Sequence, residues 1–239
     1  MIVIKLMGGT GNQLFQYALG KSLEARGREI YYDRSLIDAD PKRNYSLDKF
    51  GLNLQFSEPV GRLVRERNMY FDSSIFFLDN CTLEGYWQCE KYFECVAPFL
   101  REELIESNEK NDDAFVHVRR GDNCYGAGLT YHGLLDFDYF MNGIGYLENK
   151  VKPNHYYIFS DDTKWCKEHF SDSKITVIEG NSDYQDLQLM ARCRYGIIAN
   201  SSYSWWGAYL GNCDVVVAPR RWYISVDEGD TVPKSWVRL

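Results

Sequence analysis

The chain runs from an apolar stretch, Ala114-Phe115-Val116-His117-Val118, straight into Arg119, Arg120, Gly121 and Asp122. Guanidinium groups at a strand end meet anions, and the planar fork of arginine suits phosphate in particular. A surface Arg–Asp pair is the plainer reading of such a run. A second segment of the same kind follows the apolar run Tyr195-Gly196-Ile197-Ile198-Ala199, namely Asn200-Ser201-Ser202-Tyr203-Ser204-Trp205-Trp206-Gly207. Its serines stand where a helix would begin, with unbonded N–H groups and the positive end of the helix dipole. Two anion-seeking strand ends in one domain point to a phosphorylated ligand. A third strand end, Phe159-Ser160, leads into Asp161 and Asp162. These carboxylates either cap the helix that follows or accept N–H bonds from the edge of a base such as guanine.

Positioning such groups calls for strands that all end on one side. Strands are read at Ala114–Val118, His155–Phe159, Lys174–Ile178, Gly196–Ala199 and Asp214–Ala218, with helices at Phe137–Asn149, Asp162–Phe170, Tyr184–Arg194 and Ser202–Leu210. This alternation predicts a parallel sheet with helices on both faces, in which ligands bind beyond the carboxyl ends of the strands. Along the first strand, side chains alternate, so His117 and Arg119 share one face and Val116 and Val118 the other. The beginning of the chain has the same rhythm. Ile2-Val3-Ile4 leads to a glycine turn at Gly8, Gly9 and Gly11, then to a helix with Leu14, Phe15, Ala18, Ser22 and Ala25 at helical spacing. Gly27 is its stop and 28–33 the next strand. The turn is either structural or a ligand contact. Pro59–Arg67 reads as a short basic helix, Cys81–Trp87 as a strand, and Glu90–Ile105 as a helix with Tyr92, Phe93, Val96, Phe99 and Leu100 inward. The charged break at 106–113 divides the chain. The domains expected are 1–110 and 111–218, with a tail at 219–239 packing back on the first.

Hydrophobic residues make up 45% and charged residues 26%, a globular balance, and the formal net charge of -7 argues against nucleic-acid partners. Aromatics reach 15%, which is compatible with sugar stacking. The seven cysteines are dispersed, with no C-x-x-C pair, and read as reduced thiols in a cytosolic protein. The opening strand is too short for a signal peptide or a transmembrane segment.

The stretches His117–Asp122, Phe159–Asp162 with Trp165–Glu168, Ala199–Ala208 and Gly8–Ala18 together resemble the motifs of glycosyltransferase family 11, in the family's order. That family contains α-1,2-fucosyltransferases using GDP-fucose. The resemblance implies a GT-B-like α/β fold, two Rossmann-like domains with parallel sheets facing across a cleft, 1–110 on the acceptor side and 111–218 binding the GDP-sugar. It implies inverting, metal-independent transfer of L-fucose from GDP-fucose to a galactose-terminated glycan, with no cofactor; the alternatives are another GDP-sugar transferase or a catalytically silent nucleotide- or glycan-binding module. Arg119 is then the main diphosphate contact, and Ser202 and Ser204 lie opposite it. Arg120, Asn200, Ser201 and Trp205 complete the donor set, with His117 as either a donor contact or a structural residue; Asp162 faces the guanine with Asp161 beside it, and Asn12 faces the donor from the first domain. Arg120 has a second reading, as a structural partner of Asp122. Asp122 and His132 are the alternatives for the base that takes the acceptor's proton. The pairs Asp38/Asp40 and Asp136/Asp138 match Asp-x-Asp metal motifs but sit in a polar loop and at a helix start, so no metal is expected. The place of action expected is the cytoplasm, peripheral to the membrane face where glycans are assembled.

Overall fold

The computed structural model describes residues 1–121 and 126–239. It resolves into two compact units, Met1–Leu104 with Gly229–Pro233, and Ile105–Glu228 with Lys234–Leu239. The expected α/β class holds for both: each is built on an all-parallel sheet.

In the first unit the elements are β1 (Ile2–Lys5), α1 (Thr10–Glu24), β2 (Ile30–Asp33), α2 (Ser35–Asp38), β3 (Arg62–Arg65), β4 (Cys81–Glu84) and α3 (Ala97–Leu104), and the sheet order is β2-β1-β4-β3. Ile2, Val3 and Ile4 are all fully buried, as a strand covered on both faces requires. At the β1–α1 turn Gly8 adopts φ +79°, and a Cβ there would lie 2.3 Å from the Asn12 Nδ2. Two buried glutamines hold this turn. Gln13 donates to the carbonyls of Gly8 and Asn44 and accepts from the Ser46 N–H, while Gln16 bonds Met7 and donates to the Gly85 carbonyl.

Two local expectations fail here. Residues 62–65 form strand β3 rather than a basic helix, because they pair in parallel with β4, and the Thr82 hydroxyl both donates to the Val60 carbonyl and accepts its N–H. Tertiary pairing overrides local composition. The helix expected from Glu90 is broken into two 3-10 turns before α3 begins. At the break Phe93 has φ -140°, and its buried ring packs 5.8 Å from that of Phe15. The later start rephases the helix, so Leu100 and Leu104 turn inward while Phe99 is 68% exposed.

The second unit contains β5 (Asn111–Val118), α4 (Gly126–His132), α5 (Phe137–Lys150), β6 (Tyr156–Ser160), α6 (Thr163–His169), β7 (Ile175–Val177), α7 (Asp183–Arg192), β8 (Cys193–Ile197), α8 (Ser202–Leu210), β9 (Val215–Ala218) and β10 (Val237–Arg238). Its sheet order is β10-β9-β8-β5-β6-β7. Counted within the unit this is the doubly wound order, with a reversal of direction between β5 and β8. Val116, Val118, Phe140, Leu147, Ile158 and Ile197 form its core.

The division falls between Leu104 and Ile105, ahead of the expected 110/111 boundary, because Ile105 is buried and the Glu106 N–H bonds Gln188 in the second unit. The tail is shared. β10 extends the second sheet, where Arg238 grips Glu228 at 2.8 and 2.9 Å, and only Gly229–Pro233 counts with the first unit. There Asp230 accepts from the Phe71 N–H at 2.9 Å and the Lys91 ammonium at 2.6 Å. Asp230→Ala leaves a part-buried amide and an ammonium without their acceptor. It is expected to lower stability by about 1–3 kcal/mol, read by urea unfolding, with faster hydrogen exchange at Phe71.

Candidate active site

Three of the segments singled out by their chemistry lie on neighbouring strands. The register pairs Val116 with Ile197 across β5–β8, and Val118 with Ser160 across β5–β6. Arg119 and Arg120 therefore leave the sheet between the Asp161–Asp162 segment and the Asn200–Ser204 segment. This is the topological switch point, where the crossovers diverge and a crevice opens beyond the strand ends.

The two arginines differ in setting. Arg120 is fixed on three sides: its backbone N–H bonds Asp161 at 2.8 Å, its Nε bonds Asp162 at 3.2 Å, and its guanidinium lies 4.2 Å above the Trp165 ring. Its ion-pair partner is thus Asp162; Asp122 lies outside the described residues. Asp162 also caps α6 by accepting the Trp165 N–H at 3.1 Å. That bond and then the Arg120 guanidinium hold its carboxyl below the ordinary carboxylate range. Gly121 is required for close approach, since a Cβ would lie 2.5 Å from an Asp161 oxygen. Arg119, half-buried, is the second cation at this edge.

On the other side, α8 begins at Ser202, and its first-turn amides have no acceptor within the helix. Ser202 is half-buried. The side chains of Ser204 and Trp205, expected at the donor, are fully buried instead: the Ser204 hydroxyl bonds the Ser201 carbonyl, and Trp205 stacks on Tyr209 at 4.6 Å and contacts Trp236. Their place is beneath the helix start, which they support. Asn200 and Ser201 are also buried, and the Asn200 amide donates to the His132 carbonyl at 2.6 Å. That bond ties the end of α4 to the end of β8 and brings His132 to the same edge, its ring against Tyr131 and Tyr223.

His117 is buried on β5 with its ring 5.7 Å from that of Tyr203, and its Nδ1 has no hydrogen-bond partner. Burial, and then the charge of Arg119, push its pKa down to about 3. It is a neutral imidazole at physiological pH. In the first unit, Asn12 accepts from the Gln88 amide at 2.7 Å. The Asp-x-Asp carboxylates have local duties: Asp38 pairs with Arg34, Asp40 accepts the Lys42 N–H, and Asp136 caps α5 through the Tyr139 N–H. Among the described residues no three His, Cys, Asp or Glu side chains gather as a metal-binding group. No described helix is long and apolar enough to cross a membrane.

Sequence reasoning missed Trp165 and Tyr203 as supports of Arg120 and His117. The signal for the first is its place, three residues after the capping Asp162, where the first turn of α6 returns toward the strand edge.

The sequence model of glycosyl transferase family 11 matches residues 68–239. An alpha-1,2-colitosyltransferase of Escherichia coli is 31% identical over 291 aligned positions, covering 100% of this chain and 99% of that protein. The O-antigen biosynthesis glycosyltransferase WbnK of Escherichia coli is 27% identical over 298 positions, covering 98% and 99%. The mouse galactoside 2-alpha-L-fucosyltransferase Sec1 is 27% identical over 244 positions, covering 90% of this chain and 66% of that protein.

The buried imidazole makes stability depend on pH. The unfolded His117 takes up a proton near pH 6.5 and the folded one only near pH 3. Acid therefore favours the unfolded chain, and the contribution is lost progressively as pH falls through that window. Between pH 7 and pH 4.5 the wild type should lose about 2–3 kcal/mol more than His117→Asn, as measured by urea unfolding at both pH values.

Proposed function

Because the chain belongs to glycosyltransferase family 11, we propose that it is an inverting, metal-independent transferase that moves L-fucose from GDP-fucose to a galactoside hydroxyl, forming an α-1,2 linkage. The observation that carries this reading is the convergence of Arg119, the α8 start and the Asp161–Asp162 segment on one switch point. In the reaction the bond from the sugar's anomeric carbon to the diphosphate oxygen breaks, and negative charge grows on the leaving diphosphate. Arg119 meets that charge with a guanidinium, and the α8 amides with N–H groups and a dipole already oriented toward it. Arg120 acts as a positioning residue, because its guanidinium is committed to Asp162 and Trp165. Asp161 and Asp162 keep oxygen lone pairs beyond those used by the protein, enough to accept N–H groups from a guanine edge. His132, tied to the end of β8 through Asn200, is the described candidate for the base, and Asp122 is the other.

The donor sugar has a second reading, favoured by the relative named for colitose. Colitose is fucose without its 3-hydroxyl. A site built to hydrogen-bond that hydroxyl rejects the deoxy sugar strongly, whereas an apolar site discriminates weakly in either direction. Competing GDP-fucose against GDP-colitose over a panel of galactosides, with NMR assignment of the linkage formed, decides both sugar and acceptor. The protein's partners in this reading are the sugar nucleotide and a galactose-terminated glycan. Its thiol-rich composition suits the reducing cytoplasm, at the membrane face where glycans are assembled.

Arg119→Ala should lower turnover by on the order of 10²–10³-fold, the usual effect of losing one preorganised charge contact, with unfolding unchanged. Near-normal turnover would remove Arg119 from the mechanism. Transfer should also persist in excess EDTA, since arginine and helix-start donors meet the diphosphate charge. Loss of activity that Mg²⁺ or Mn²⁺ restores would return that role to a metal.

A further inference from the structure

The first unit holds a cavity of about 770 Å³ that the donor chemistry does not use. Its walls are β3, the segment after it, and the side chains of Trp87 and Tyr92. Arg62, Arg65 and Arg67 line it, in a chain whose net charge is -7. Arg65 is bonded to Glu84 at 2.8 Å, but Arg62 and Arg67 are exposed and make no ion pair among the described residues. Tyr70, half-exposed, offers a ring at the same wall.

Trp87 is the unusual member. Its backbone is left-handed, φ +56°, a region bulky residues rarely adopt. Glu66 holds it there, accepting the N–H groups of Tyr86 and Trp87 at 2.8 and 3.1 Å, beside a glycine, Gly85, whose Cβ would strike the Glu66 side chain. The indole is 1% exposed, and its Nε1–H is buried with no acceptor. Buried donors are almost always satisfied, so an orphan in a ligand-sized cavity calls for an acceptor from outside. The wall is also braced. Asp230, from the distant tail, bonds the Phe71 N–H and Lys91, and Gly229 lies so close that a Cβ would be 2.4 Å from the Met69 backbone.

We infer that this cavity is a second glycan subsite, taking a saccharide that carries a carboxylate or a phosphate. An exposed aromatic ring and an N–H donor recognise a sugar, and the exposed guanidinium groups of Arg62 and Arg67, in a lining that also holds Glu66 and Asp72, recognise an anion on it. A peptide strand is the poorer occupant: β3 is a four-residue edge whose exposed arginines discourage strand addition. The inference does not depend on the donor reading, because the subsite lies wholly within the first unit.

The test is a titration of the ¹⁵N-labelled full chain with GDP present at saturation, following the Trp87 indole resonance, assigned through Trp87→Phe. The probes are lactose, a glucuronic acid-bearing galactoside and galactose 1-phosphate. At least one anionic probe should shift the indole resonance and bind roughly 10-fold more tightly than lactose, as two exposed charge contacts allow. The exposed-site double variant Arg62→Gln/Arg67→Gln should abolish that advantage while GDP binding and lactose binding stay unchanged. Which anion is preferred separates a uronic acid from a sugar phosphate. An unmoved indole resonance, anionic probes no tighter than lactose, or an advantage that survives the double variant overturns the subsite. Loss of GDP binding in the same samples would count against the donor reading alone.

Discussion

Phe115 lays its ring against the backbone of Gly196, where a Cβ would come within 2.6 Å of the ring. That contact lets β5 and β8 lie side by side although most of the second unit separates them in sequence. From this pair the chain moves outward through β6 and β7 on one side and β9 and β10 on the other, since crossovers between parallel strands turn right-handed. The crevice between the two directions is then unavoidable. Whatever residues follow β5, β6 and β8 face one another there, and in this chain they are arginines, aspartates and a serine-rich helix start. A side chain at Gly196 would part the strands before it touched any functional group.

Within that crevice, neighbouring residues of like chemistry have been given different tasks by their surroundings. Arg119 and Arg120 are adjacent and equally charged, yet Arg120 is stacked on Trp165 and bonded to Asp162. Its fixed fork holds the Asp162 carboxylate, which in turn holds the start of α6. The same separation applies on β8. Asn200 holds α4, Ser204 and Trp205 fill the space under α8, and the amides of the helix start are left without an acceptor in the helix or a side-chain cap. Rigid support beneath a charged edge is what preorganisation needs: donors already aimed where charge will develop cost no reorganisation when it does.

The centre of the second unit was legible in sequence because β5, β8 and β9 are largely buried and so read as apolar runs. The bounds of α8, Ser202–Leu210, are legible to the residue, since a serine start and an aromatic stretch signal a buried helix with a polar beginning. Strand β3 was not legible. Its sequence, Arg-Leu-Val-Arg, is exposed on both faces, and only pairing with β4 makes it a strand. The break at Phe93 likewise depends on Phe15, far away in sequence. Helix α4 and its attachment through Asn200 depend on a contact between segments with no shared local pattern. In the site, residue types pointed to the right strand ends but not to which side chains are available there, because availability is a matter of burial.

The glycine-rich segment after β1 shows why a motif is a mixture rather than a site. Gly8, Asn12, Gln13 and Gln16 look like a ligand loop, with flexible backbone and three amides. Three of the four are accounted for by folding alone. Gly8 yields space to the Asn12 side chain, and the buried amides of Gln13 and Gln16 complete bonds that the turn and the 44–46 segment would otherwise leave open. A buried amide left half-satisfied is costly, so these glutamines are as constrained as any catalytic group. Asn12 is different, for it is only half-buried and one of its oxygen's bonds goes to Gln88. The same physical demand, that every buried polar atom find a partner, therefore explains most of this motif without a ligand, and it is the demand that Trp87 leaves unmet.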